Sequence, residues 1–108
     1  MQNFKDLLIW QEAHQLTLKI YESSKGFPKE ETFGITSQLR RAAVSIPCNI
    51  AEGWGRYTQK DFANFLQIAL GSTNETDYLT LLAKDLKYLS EEQYIDVQEH
   101  LNKVRAMN

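Results

Sequence analysis

Five polar residues near the middle of the chain recur at intervals of three or four positions: Arg41, Ser45, Asn49, Glu52 and Arg56. This spacing places their side chains along one face of an α-helix. Guanidinium, hydroxyl, amide and carboxylate groups in such a row can share hydrogen bonds or contact a polar or anionic partner. We call this row the polar file.

Two interpretations of the polar file are open at the level of sequence. The file either binds a partner, with the basic residues Arg40 and Lys60 close to it, or forms a network inside the protein or at a subunit interface. In the second case, Arg40 or Arg41 would pair with Glu52 or with Glu75 of the following helix. Both interpretations can hold at once at an interface. The residues predicted for the network are Arg41, Glu52, Ser72 and Glu75.

The sequence predicts no catalytic, metal or cofactor site. A di-metal centre in a helix bundle needs Glu-x-x-His pairs, and neither His14 nor His100 follows a glutamate at that distance. Cys48 and the two histidines match no familiar spacing of nucleophile and base, so Cys48 is expected to be a small packing residue. We therefore expect a protein without enzyme activity.

Helical periodicity and capping signals predict the elements that position these residues. The first helix is expected from about Asp6 to Ser24, and the second from about Thr36 to Trp54. Thr58 and Ser90 are predicted to cap a third helix, which reaches about Leu89, and a fourth. Short connections make consecutive helices antiparallel, so the predicted fold is an all-α, up-down-up-down four-helix bundle.

Apolar stripes on these helices predict the core. On the first helix the stripe is Ile9, Ala13, Leu16 and Ile20, with Trp10 and Thr17 alongside. On the second it is Leu39, Ala42, Ala43, Ile46, Ile50, Gly53 and Trp54. On the third it is Phe62, Phe65, Ala69, Ser72, Thr76, Leu79, Ala83 and Leu86. Pro47 is expected to bend the second helix, and Gly71 to let a neighbouring helix approach the third closely.

The bulk composition fits one domain, residues 1–108, of an ordinary globular protein, with 43% hydrophobic and 24% charged residues. The net charge of −2 means that nucleic-acid binding would need a local basic patch or one assembled by symmetry. No apolar run has the length of a signal peptide or a membrane span, and the single cysteine excludes an internal disulfide. We expect a cytoplasmic protein that does not bind membranes.

Some apolar residues cannot all face the core of a single bundle, which indicates self-association. The four residues from Leu7 to Trp10 sweep most of the way around a helix, so they cannot all face one core. Trp54 and Tyr57, at the end of the second helix, could meet another subunit, stack on bases, or cover the end of the bundle. The residues predicted for an oligomer interface are Leu7, Leu8, Trp10, Trp54 and Tyr57.

Three segments resemble the S23 ribosomal protein family, also called 23S rRNA intervening-sequence proteins. They are FKDLLIWQEAHQL, FGITSQLRRAAVSIPCNIAEGWGR and FANFLQIALGSTNETDYLTLLA, and together they cover most of the chain. The resemblance implies a four-helix bundle that assembles into rings, typically homopentamers. A similar bundle occurs in accessory proteins of diversity-generating retroelements, which suggests a nucleic-acid partner by analogy.

The leading hypothesis is a non-enzymatic, homopentameric module that binds RNA or DNA. A ring would repeat its basic residues around an axis and concentrate positive charge that the monomer's net charge conceals. The alternative is a protein-interaction scaffold in which the polar file is buried in the assembly. The residues predicted to contact nucleic acid or another partner are Arg40, Arg41, Ser45, Asn49, Glu52, Arg56 and Lys60.

Overall fold

Four α-helices and three short 3-10 turns make up the computed structural model, which describes residues 3–107. The 3-10 turns span Phe4–Asp6, Ser24–Gly26 and Lys29–Glu31. The helices are α1 (Leu8–Ser23), α2 (Ile35–Trp54), α3 (Gln59–Asp85) and α4 (Glu91–Ala106). No strand occurs within residues 3–107, so the all-α prediction is confirmed.

The helices run up-down-up-down, and each packs against its neighbours in the chain while α1 also packs against α4. The pairs that fix this antiparallel register are Thr17–Ala43 and Ser24–Arg40 between α1 and α2, Ser45–Ser72 between α2 and α3, and Asp77–Arg105 and Lys84–Glu91 between α3 and α4. The α4 helix therefore lies diagonally across from α2. The bundle is 43 Å along its longest axis, close to the roughly 40 Å expected for the 27 residues of α3.

The predicted apolar stripes of the first two helices form the centre of the core. Leu16 and Ile20 of α1 and Leu39, Ile46 and Ile50 of α2 are almost completely buried. In α3, however, the prediction missed two fully buried threonines, Thr73 and Thr80. Their hydroxyls donate to the carbonyls of Ala69 and Thr76, four residues earlier, so burial leaves neither of these two hydroxyls unpaired.

Helix ends differ from the predictions in three helices, and α1 spans Leu8–Ser23 where about Asp6 to Ser24 was predicted. The α2 helix begins at Ile35, one residue before the predicted Thr36. The α3 helix ends at Asp85, four residues before the predicted Leu89, and Leu86 is exposed at its C-cap. The capping predictions for Thr58 and Ser90 are confirmed, since each side chain accepts a backbone amide three residues later.

The end of α3 has the hydrogen bonds of a Schellman motif. The amide of Tyr88 donates to the carbonyl of Ala83, and the amide of Lys87 donates to that of Lys84. Lys87 adopts the left-handed conformation, with φ of 66°, in a position that usually carries glycine. This turn ends the helix although no Gly or Pro marks the position.

Pro47 lies within α2, which continues on both sides of it. A proline has no amide proton, so the carbonyl of Ala43, four residues earlier, loses its helical donor. The hydroxyl of Thr17 in α1 lies 3.1 Å from that carbonyl and donates to it. A side chain of the adjacent helix thus replaces the missing backbone bond.

The close helix approach predicted at Gly71 occurs at Gly53 instead. A Cβ atom placed on Gly71 would have no atom within 4 Å, so the prediction for Gly71 was wrong. A Cβ atom on Gly53 would lie 2.6 Å from the Cβ of Phe65 and 3.0 Å from a ring carbon of Phe62. Gly53 is therefore the residue that lets α2 approach the aromatic start of α3.

Candidate functional site

The centre of the polar file is bonded to α3. The Oγ atoms of Ser45 and Ser72 lie 2.8 Å apart. The Nδ2 atom of Asn49 donates to the carbonyl of Ser45 at 2.8 Å and to its Oγ at 2.9 Å. Since the Ser45 hydroxyl accepts from Asn49, its own proton is available to Ser72. All three side chains are half-buried, so this part of the file is a structural link between two helices.

Arg41 lies at the end of this link, in a surface depression that it shares with Ser45, Ser72 and Glu75. The predicted ion pair between Arg41 and Glu75 is not formed. Among residues 3–107, no carboxylate oxygen lies within 4.0 Å of the Arg41 guanidinium. Arg41 is exposed, and its five donors are therefore available to a partner.

The last residues of the polar file pair with each other. The Arg56 guanidinium lies 2.8 Å from Oε1 of Glu52, one turn earlier, and 4.9 Å from the ring centroid of Phe65. One form of the predicted network required Glu52 to pair with Arg41. In the structure, Glu52 pairs with Arg56 instead. Both side chains are about half exposed, so the pair contributes little stability and can be exchanged for another ligand.

Arg40 points away from the polar file, towards α1. Its Nε donates to the hydroxyl of Ser24 at 2.8 Å, and its guanidinium lies 4.8 Å from the ring centroid of Tyr21. The expected pairing of Arg40 with Glu52 or Glu75 is thus replaced by bonds to the end of α1. The run Arg40-Arg41 could not reveal this, because adjacent helical residues point in directions about 100° apart.

Three aromatic rings surround the turn between α2 and α3. Trp54 and Phe62 make an edge-to-face contact with ring centroids 5.5 Å apart. Together with Tyr57, Arg56 and the neighbouring backbone, they line an open pocket of about 280 Å³, which we call the turn pocket. The remaining lining residues are Gly53, Thr58 and Gln59. Tyr57 is fully exposed, and the sequence marked it without indicating a pocket.

The residues predicted for an oligomer interface divide into two groups. Leu7 packs against the core, and Trp10 is stacked on His14 and touches the edge of Phe4, so both are largely used within the chain. Leu8 is 60% exposed, and Tyr57 is fully exposed. Trp54 is half-buried against Phe62, so among the five predicted residues Leu8 and Tyr57 expose the most apolar surface.

The position of Cys48 differs from the prediction that it is a small packing residue. It was expected to pack in the interior, but its thiol is exposed on α2. It borders an apolar groove between α1 and α2 that sequence reasoning missed, because Phe4 folds back over both helices from the 3-10 turn. The groove has a volume of about 310 Å³ and is lined by Phe4, Trp10, His14, Thr17, Val44, Pro47, Cys48 and Ala51.

The most perturbed titratable group lies at the opposite end of the bundle. The hydroxyl of Tyr88 donates to Oε2 of Glu31 at 2.9 Å, and this bond, aided by burial and by nearby negative charge, raises the pKa of Tyr88 above 10.0. No group of three metal-ligating side chains is found in the described part of the chain. No helix within residues 3–107 is long and apolar enough to cross a membrane.

Comparison with known proteins identifies relatives of the whole bundle. The sequence matches the model of the 23S rRNA-intervening sequence protein family over residues 5–108. A solved structure from Bacteroides thetaiotaomicron, described as a protein of unknown function from the S23 ribosomal protein family, superimposes with a TM-score of 0.84. The two chains are 27% identical, and the match covers 93% of this chain and 94% of the other. No curated protein matches the sequence significantly.

Proposed function

Because the chain belongs to the 23S rRNA-intervening sequence protein family, we propose that it is a non-enzymatic module that self-associates, as a homopentamer, and binds RNA or DNA through α2. The observation that carries this proposal is the exposed Arg41 guanidinium, which has no carboxylate partner among residues 3–107. Lys19, Lys84 and Arg105 each have a carboxylate partner, whereas Lys60 on α3 and Lys103 on α4 have none in the described part of the chain, like Arg41.

Two further cations extend the proposed surface into the turn after α2 and the start of α3. Arg56 forms an exposed pair with Glu52, which a phosphate could replace at small cost. Lys60 is exposed at the start of α3, four residues after Arg56 in the chain. Repeated by the symmetry of a ring, these cations would form a basic surface on a chain whose net charge is −2.

The experiment is a salt titration of nucleic-acid binding with charge-reversed variants. We expect binding to weaken steeply as salt rises, and the double variant Arg41→Glu, Arg56→Glu to lose about tenfold or more in affinity. Lys103→Glu is the control for each single reversal, Arg41→Glu and Arg56→Glu, since it changes the net charge by the same amount at an exposed cation on α4, diagonally across from α2. No binding at low salt, or the same loss in Lys103→Glu, would contradict the proposal.

A protein-interaction scaffold is the second candidate, and one observation favours it. Glu75 lies in the same depression as Arg41, so a protein surface carrying both a carboxylate and a cation would complement it better than a polyanion. This candidate requires the assembly to depend on the polar file. Arg41→Ala would then reduce the mass measured by light scattering, whereas an intact oligomer with weaker nucleic-acid binding supports the first candidate.

A further inference from the structure

We propose that the turn pocket holds one unpaired nucleotide of a single-stranded nucleic acid, with its base against Tyr57 and its phosphates near Arg56 and Lys60. This inference rests on the proposed function and narrows its ligand from nucleic acid in general to single strands. The turn pocket is independent of the depression around Arg41, because the two share no lining residue.

Aromatic walls are the first reason for this assignment. Trp54, Tyr57 and Phe62 contribute three rings to a pocket of about 280 Å³, which suits one flat ring system better than a larger ligand. Proteins that bind single strands stack bases on such side chains, and the contact tolerates any base because every base has a π face. A fully exposed tyrosine in a turn is available for this without rearrangement.

The charge around the turn pocket is the second reason. Arg56 is the single charged residue in its lining, and no carboxylate is part of it. Lys60 is exposed at the second position of α3, four residues after Arg56 in the chain. Glu52, which pairs with Arg56, lies outside the lining, so a phosphate beside the pocket would take the place of this exposed carboxylate. An apolar segment of a protein partner would gain nothing from either cation.

A duplex cannot use the turn pocket in this way. In a duplex each base is paired and stacked on both sides, so it would first have to be extruded at a cost of a few kcal/mol. An unpaired base is already free to stack on Tyr57. The pocket should thus discriminate between single strands and duplexes although it reads no hydrogen-bonding edge.

The test compares a labelled oligoadenylate of about twelve nucleotides with its duplex, by fluorescence anisotropy at low salt. We expect tighter binding of the single strand, a loss of about tenfold in Tyr57→Ala, and a change of less than about twofold in Tyr57→Phe, which keeps the ring. Tyr78→Ala, which removes an exposed tyrosine from the middle of α3, is the matched control and should bind normally. In a Trp10→Phe background, the single strand should quench the emission of Trp54.

The outcomes separate this inference from the proposed function. One outcome is salt-sensitive binding that is unchanged in Tyr57→Ala, or weakened equally for the single strand and the duplex. This outcome would overturn the assignment of the turn pocket to an unpaired nucleotide, but it would still support nucleic-acid binding by the basic surface. Absence of binding to either nucleic acid would overturn both. Loss of a protein partner in Tyr57→Ala, with nucleic-acid binding unchanged, would assign the pocket to a protein and overturn the inference.

Discussion

The hydroxyl of Thr17 donates to the carbonyl of Ala43, the one acceptor in α2 that Pro47 deprives of its amide donor. The same hydroxyl lies 2.9 Å from the carbonyl of Ala13 in its own helix, so one proton is shared between two helices. Thr17 is largely buried, which means that no water can readily take its place. The proline in α2 and the threonine in α1 therefore act as a pair.

Thr17→Val should lower the free energy of unfolding by about 1–2 kcal/mol, because it leaves a buried carbonyl without a donor. Urea denaturation would measure the loss. Thr73→Val is the matched control: Thr73 is buried too, but its hydroxyl bonds only to its own helix, so we expect a loss of less than about 1 kcal/mol.

A double-mutant cycle tests whether Thr17 and Pro47 act as a pair. In a Pro47→Ala background, the amide of residue 47 can donate to Ala43, so the additional cost of Thr17→Val should be smaller by about 1 kcal/mol. Equal costs of Thr17→Val in both backgrounds would show that the threonine does not compensate for the proline.

Gly53→Ala and Gly71→Ala should change stability in opposite directions. The added methyl group on Gly53 would collide with Phe65 and Phe62, so we expect a loss of about 1–3 kcal/mol. The methyl group on Gly71 would enter open space in the middle of a helix, so we expect a gain of about 1 kcal/mol. Thermal unfolding of the two variants would measure whether each one is less or more stable than the wild type. A loss of stability in Gly71→Ala would reveal a contact of Gly71 outside the single chain.

Lys87→Gly should stabilise the protein by about 1 kcal/mol, because glycine adopts the left-handed conformation of this residue without steric cost. Lys87→Ala separates this effect from the loss of charge, since alanine keeps the Cβ atom and should give no gain. The midpoint of urea denaturation distinguishes the two variants, and equal midpoints would rule out the conformational explanation.

The bond between Tyr88 and Glu31 should make stability depend on alkaline pH. The pKa of Tyr88 is raised in the folded state. The contribution of its bond to the free energy of unfolding is therefore fully present below the unfolded-state pKa of 10.0, and it is lost as pH rises through the folded-state pKa. The difference in unfolding free energy between the wild type and Tyr88→Phe should therefore shrink as pH rises above about 10. Tyr78→Phe, at an exposed tyrosine, serves as the control and should show no such trend. A constant difference for Tyr88→Phe would show that the bond does not survive in solution.

The helices of this protein were predictable from sequence because their signals are local. The capping residues Thr58 and Ser90 and the apolar period of α1 and α2 depend only on neighbours within a few positions. The end of α3 was not predictable, since Lys87 adopts a conformation that its residue type disfavours. Buried Thr73 and Thr80 were missed because a threonine that bonds its own helix can replace an apolar residue.

The candidate site was predictable only in part, for a similar reason. The period of α2 placed Arg41, Ser45 and Asn49 on one face, but the period does not say which partner each residue takes. The bonds from Ser45 to Ser72 and from Arg40 to Ser24 depend on how α2 is rotated against its neighbours. The turn pocket depends on where the chain reverses after Gly53, which no repeating pattern encodes.

The exposed thiol of Cys48 makes α2 a natural place for a spectroscopic probe. The chain has one cysteine, so a maleimide dye or a nitroxide would attach once per subunit, on the helix that carries the polar file. In a symmetric ring, the number of subunits fixes how many different distances occur between such probes and the ratios of those distances. In the proposed ring, a probe on this native cysteine would report the number of subunits without any added mutation.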